Sequence, residues 1–209
     1  CFLCPSGCNV ACCKACLYDM FDGHSRCPIC ARSSMSDTVC GNCLNITPAF
    51  DKTVVGFEYA YPVTELIKQF KYSDRSELAI YFAKIIRTKL KLNNKPDIIL
   101  PVPLHKNRLV SRGFNQSLLL AKEIAKPLQI KLEPSLCKRI IDTAPQSLLS
   151  NAKRKTNIRG AFQLTNKKLP NHIAIVDDVI TTGSTTSELA SLLKRAGCKQ
   201  VEVWAIART

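Results

Sequence analysis

Apolar positions fall into a regular rhythm only after about residue 50. Val54, Val55, Phe57 and Tyr59 crowd residues 53–60 and predict a strand. Pro62 suits the first position of a helix, whose Leu66, Ile67 and Phe70 share one side while Lys68 and Lys71 lie outside. Ser76 opens a longer predicted helix, with Leu78, Tyr81, Phe82, Ile85 and Ile86 at helical spacing. Residues 97–102 read as a buried strand, stopped by Pro101 and Pro103. A helix is predicted over 117–126 and ends at Pro127. Short strands follow at 130–132 and 138–141, then a helical segment from Gln146 to Ile158 and a strand over 160–164. Ile173, Ala174, Ile175 and Val176 form an unbroken apolar run, the mark of a parallel strand covered on both faces. A helix with Leu189, Leu192 and Leu193 on one side comes next, and 201–207 supplies the last strand. This alternation predicts an α/β domain over residues 47–209, with a doubly wound, mainly parallel sheet.

Residues 1–46 do not share that rhythm. Ten of the 12 cysteines of this 209-residue chain lie in the first 43 positions. They include four Cys-x-x-Cys pairs: Cys1/Cys4, Cys13/Cys16, Cys27/Cys30 and Cys40/Cys43. Each pair offers two thiolates from one tight turn, and tetrahedral Zn²⁺ takes four. The repeat predicts a small double zinc-ribbon-like module with two structural ions. Cys1, Cys4, Cys13 and Cys16 would hold one; Cys27, Cys30, Cys40 and Cys43 would hold the other. Spacing alone leaves a crossed pairing open. Cys8 and Cys12 are left over, and Cys12 could stand in for Cys13. A disulfide knot or a redox pair is the alternative. About 45 residues hold too little apolar surface to fold alone, so metal would supply folding energy.

Charge sharpens the picture of the larger domain. The net charge is +14, and residues 1–46 contribute nothing to it, with 3 Lys and Arg against 3 Asp and Glu. Between Lys84 and Lys168 there are 19 Lys and Arg but only 4 Asp and Glu. Such a surface fits a polyanion, or a merely solvated basic face. Candidate nucleic-acid contacts are Lys84, Arg87, Lys106, Arg108, Arg112, Lys153, Arg154 and Lys155; Tyr72, Phe114 and Phe162 are candidates to stack bases. No apolar run approaches the roughly 20 residues of a membrane span, and no secretory signal is visible.

The sharpest chemistry follows the apolar run. Asp177 and Asp178 stand at its carboxyl end, then Thr181, Thr182, Gly183, Ser184 and Thr185 lead into a helix. Ligands of α/β sheets sit beyond the carboxyl ends of strands, and a helix N-terminus offers N–H groups to a phosphate. Gly183 permits close approach and the hydroxyls add donors. The two acids can accept sugar hydroxyls or hold hydrated Mg²⁺. This string resembles the signature of the type I phosphoribosyltransferases. The resemblance implies that the acids hold the ribose hydroxyls of phosphoribosyl pyrophosphate (PRPP), that the loop holds its 5-phosphate, and that Asp177 and Asp178 are the catalytic candidates. It also puts the pyrophosphate side at Pro103, Leu104, His105, Lys106, Arg108 and Arg112, a basic loop after a strand. A mobile lid would fall near Lys153, Arg154 and Lys155.

The wider combination resembles the ComF (ComFC) competence family: cysteine knuckles, the 101–104 and 112–116 motifs, Gln146, Arg154, Asn157, residues 160–162, the Asp-Asp loop and the last three residues. The resemblance spans essentially the whole chain. It implies a cytoplasmic protein of natural transformation that binds single-stranded DNA, carries a PRPP pocket with Mg²⁺ and meets other DNA-uptake proteins. Two other functions stay open: a true phosphoribosyltransferase with a base or nucleic-acid acceptor, and a non-catalytic PRPP-sensing regulator that binds RNA.

Overall fold

In a computed structural model, the chain is described over residues 1–8, 11–20, 23–34, 36–72, 75, 77–91, 93–142, 158–165 and 168–209. Five parallel strands form the central sheet: β1 (Lys52–Glu58), β2 (Ile98–Pro101), β3 (Lys131–Leu132), β6 (His172–Ile180) and β7 (Gln200–Arg208). Their order is β1-β7-β6-β2-β3. β4 (Cys137–Arg139) and β5 (Phe162–Leu164) pair antiparallel as a separate ribbon. Five residues of β6, His172 through Val176, are buried in succession, as a strand covered on both faces demands.

One face of the sheet carries α3 (Val63–Tyr72), α4 (Glu77–Lys89) and α6 (Gln116–Leu128). The apolar stripe read from the sequence of α4 is the buried one: Leu78, Phe82, Ile85 and Ile86 face inward. They join Phe57, Leu66, Phe70, Leu120 and Trp204 in one cluster. Each such side chain contributes about 1.5–3 kcal/mol on burial. The other face carries α7 (Ser184–Arg195), whose Leu189, Ala190 and Leu193 pack on Ile173, Ile175, Val201 and Val203.

The cysteine-rich segment, with its short helices α1 (Lys14–Tyr18) and α2 (Gly41–Asn45), divides between these faces. Cys12 and Met20 belong to the cluster around α4, whereas Cys27, Cys30 and Cys43 belong to the cluster under α7.

Three local readings change. Pro62 precedes its helix rather than opening it, since α3 begins at Val63. The basic stretch after β2 is not a loop but a helix, α5 (Lys106–Arg112). His105 Nδ1 accepts the Asn107 N–H at its start, and Gly113 closes it at φ 78°, the left-handed conformation that glycine adopts without strain. Pro127 lies inside α6, which runs on to Leu128. The helical segment expected from Gln146 lies outside the described residues up to position 157.

Candidate functional site

Because all five sheet strands are parallel, their carboxyl ends meet along one edge. Tyr59 follows β1, Val102 and Leu104 follow β2, and Asp177 to Ile180 close β6; all line one cavity of about 560 Å³. α7 points its N-terminus at the same place through Thr181, Gly183 and Thr185. Gly183 holds φ 80° at the N-cap, a conformation that any Cβ would strain. Thr182 Oγ1 accepts the Ser184 N–H and lies 2.7 Å from Ser184 Oγ, so these hydroxyls shape the loop.

The two acids differ in their surroundings. Asp177 Oδ1 accepts the Asp178 N–H at 2.9 Å and the Ser117 hydroxyl at 3.1 Å. Burial, then the charge of Asp178, holds its carboxyl well above the ordinary carboxylate range. Burial alone would push Asp178 the same way. The Lys71 ammonium, 2.8 Å from Asp178 Oδ2, overrides it and holds that carboxyl below its usual value. Two adjacent acids are thus kept in different states: one compensated, one poised to take up a proton.

Five cations line the cavity against these two carboxylates: Lys68, Lys71, Arg108, Arg112 and Arg139. Arg112 donates to Gln116 Oε1 at 3.3 Å. Burial, then the neighbouring arginines, lowers Arg108 and brings Arg139 down to about 10. Positive charges packed this closely suit a ligand with several negative charges.

The expected site residues sort unevenly. Asp177, Asp178, Thr181, Gly183, Thr185, Leu104, Arg108 and Arg112 line the cavity. Pro103 is buried and does not line it, and Lys106 is exposed on α5. His105 caps α5 and lies 3.4 Å from Asp142. Lys84 is exposed on α4, while Arg87 donates to the Glu123 carbonyl of α6 at 2.7 Å. Arg108 and Arg112 line the same cavity as the acids, although Arg108 Nε also lies 3.8 Å from Asp142 Oδ1. Lys153, Arg154 and Lys155 lie outside the described residues. Phe162 is buried with the Arg139 guanidinium 5.8 Å above its ring, so it serves the core rather than a base-stacking surface. Phe114 is half-buried, and nothing is described of the Tyr72 side chain.

Sequence reasoning missed Lys71, Gln116, Ser117 and Arg139. Lys71, expected outside its helix, instead turns into the cavity; Gln116 stands at the end of the 112–116 motif, and Ser117 and Arg139 carried no signal. Replacing Lys71 with Met should strand Asp178 as a partly buried charge, at a cost of about 2 kcal/mol. Urea unfolding of Lys71→Met at pH 8 checks this, and unaltered stability would contradict the pairing.

The cysteines gather as two quartets. Cys1, Cys4, Cys13 and Cys16 bring their Sγ atoms within 4.8 Å of one another, as do Cys27, Cys30, Cys40 and Cys43. The crossed pairing is therefore not the one formed. Both quartets repeat one local device, the Cys13 N–H donating to Cys1 Sγ at 3.4 Å and the Cys40 N–H to Cys27 Sγ at 3.4 Å. Among the described residues no cysteine forms a disulfide, and four convergent sulfurs of this spacing could hold a zinc ion. Cys12 turns away into the core, with its thiol toward the Cys13 carbonyl, and takes no place in the first quartet. Among the described residues, no helix is long and apolar enough to cross a membrane.

The chain is similar to known proteins over most of its length. The family described as "Phosphoribosyl transferase domain" matches residues 74–208. The DNA utilization protein YhgH of Escherichia coli is 36% identical, over 94% of this chain and 96% of its own. Competence protein F of Haemophilus influenzae is 38% identical, over 81% of this chain and 78% of its own. Competence protein ComFC of Streptococcus pneumoniae is 25% identical, over 89% and 82%.

Proposed function

The chain belongs to the phosphoribosyl transferase domain family, in the branch that includes competence protein F and ComFC, and on that premise we propose that it handles single-stranded DNA in natural transformation and binds PRPP in the cavity. The observation that carries the PRPP reading is the charge pattern of that cavity: five cations around two carboxylates, with a hydroxyl-rich helix N-terminus at one end. PRPP carries a phosphate at one end, a pyrophosphate at the other and two hydroxyls between. The loop of 181–185 suits the 5-phosphate. Asp177 and Asp178 suit the ribose hydroxyls, and Arg108, Arg112 and Arg139 suit the pyrophosphate. Asp177 and Asp178 could also hold a hydrated Mg²⁺, which would offset the ligand's negative charge beside them. The thiolate quartets fit two structural zinc ions. The DNA reading rests on the relatives' names and on the basic interval between Lys84 and Lys168.

The test is fluorescence anisotropy with a labelled single-stranded oligonucleotide at several salt concentrations, with and without PRPP and Mg²⁺. Engagement of about five phosphates gives a log–log salt slope near −3.5, since each contributes about −0.7 on a single strand. Binding that follows this slope and shifts with PRPP supports both halves of the reading. Binding no stronger than that of a generic basic protein overturns the DNA half.

A second reading, transfer of phosphoribose to an acceptor, is favoured by Asp177, whose raised pKa suits a group that exchanges protons near neutrality. Pyrophosphate release from PRPP across purines, pyrimidines and oligonucleotides distinguishes it.

A further inference from the structure

The phosphate loop does not stand on the sheet alone; it is held from behind by the cysteine-rich segment. The central piece is Arg208, the last residue of β7 and only 3% exposed. Its Nε donates to the Cys30 carbonyl at 3.0 Å, within the second quartet. The same guanidinium donates through NH1 to the Ile180 carbonyl at 3.0 Å and to the Thr181 carbonyl, where the loop begins. One planar fork therefore ties a metal-ligand turn to the loop. Neighbours reinforce the tie. The Thr209 N–H donates to the Ile180 carbonyl at 3.1 Å, and its hydroxyl to that of Thr181 at 3.3 Å. Phe50, in the segment leaving the second quartet, stands 3.8 Å from where a Cβ of Gly183 would sit, and the Ala49 N–H donates to Ser187 Oγ in the first turn of α7. A second cavity of about 360 Å³, lined by Arg32, Thr181, Thr182, Arg208 and Thr209 among others, marks the same junction.

Among the described residues, the first quartet has no such route. Its Cys1 and Cys16 pack against the cluster around α4, on the opposite face.

We propose that Arg208 is a positioning residue that couples the second cysteine quartet to the phosphate loop, so that metal in that quartet and a phosphate ligand on the loop stabilise one another. The quartet fixes the Cys30 carbonyl, that carbonyl fixes the guanidinium, and the guanidinium fixes the two carbonyls that set the loop. Coupling of this kind is reciprocal: whatever orders the loop must also hold the metal more tightly. The identity of the phosphate ligand rests on the PRPP reading, but the mechanical tie does not.

The test separates the two. Hydrogen exchange across residues 179–187 is compared in the zinc-loaded protein and in Arg208→Met. Exchange there should be at least tenfold faster in the variant, with two zinc ions retained and peptides of β1 unchanged. Unchanged loop exchange overturns the proposal. Arg208→Lys, which keeps the charge but loses the fork, serves the same comparison if the Met variant does not fold. On the unaltered chain, zinc is displaced with a mercurial and followed with a chromogenic chelator, with and without PRPP and Mg²⁺. One of two zinc equivalents should leave at least tenfold more slowly in the presence of PRPP. Equal release, with calorimetry showing PRPP bound, overturns the coupling. Faster loop exchange in the variant without any PRPP binding sustains the tie and removes PRPP as its ligand.

Discussion

The Asp177→Asn, Asp178→Asn double variant should lose PRPP binding by at least 100-fold while keeping its fold. Hydrogen bonds to a charged acceptor are worth about 1.5–3 kcal/mol each, and two such acceptors become neutral. The amides keep the carboxylate shape, so steric fit is retained. The single variants separate affinity from stability. Asp177 is held above its ordinary pKa by burial and by Asp178. Below the unfolded-state value of 3.8 it is protonated in both states and adds nothing. As pH rises the unfolded chain ionises first, so a penalty on folding grows until the folded group ionises too. At pH 8 Asp177→Asn removes that penalty and should raise the melting temperature as it lowers affinity. Asp178→Asn should lower both, because Lys71 loses its partner at 2.8 Å. Isothermal titration calorimetry with thermal melting reads all three variants. Full PRPP affinity in the double variant would remove the acids from the site.

Loss of the second quartet should be far more damaging than loss of the first. Cys27, Cys30 and Cys43 are buried in the cluster under α7, beside Phe50, Leu100, Ile175 and Ile180. The four cysteines of the first quartet are only half-buried, and of them Cys1 and Cys16 pack at the margin of the other cluster. Structural zinc contributes on the order of 10 kcal/mol to a small finger, comparable to the whole stability of an ordinary domain. Cys43→Ser should therefore yield protein without a cooperative melt. Cys4→Ser should retain one zinc and a melting transition of the α/β body. Elemental analysis with calorimetric melting checks both. Protein purified without chelator that contains no zinc would refute the metal assignment itself.

How legible each part was in the sequence depends on how local it is. The Asp-Asp loop could be read because strand, acids, hydroxyls, glycine and helix are consecutive, each dictated by its neighbours. The cysteine knuckles could be read because each supplies two ligands from a single turn, whereas which two knuckles share a site was settled by the fold. α5 was less legible because its density of charge resembles a solvated loop, while its helix signals are confined to His105 at the start and Gly113 at the end. Phe162 was offered as a stacking surface because an aromatic beside basic residues looks the same in sequence whether it faces water or core.

Taken by itself, the sequence determined the alternating α/β plan, the Asp-Asp loop and the four Cys-x-x-Cys knuckles, all properties of short segments with strong local preferences. Only the tertiary structure decided which distant groups meet them. Lys71 reaches Asp178, Ser117 reaches Asp177 and Arg208 reaches Cys30 because the order β1-β7-β6-β2-β3 brings the carboxyl ends of parallel strands to one edge. Strand order follows from burying two sheet faces at once, a balance summed over the whole core. No window of sequence contains that sum, so the partners that set the charge of the site and brace its loop appear only once the chain is folded.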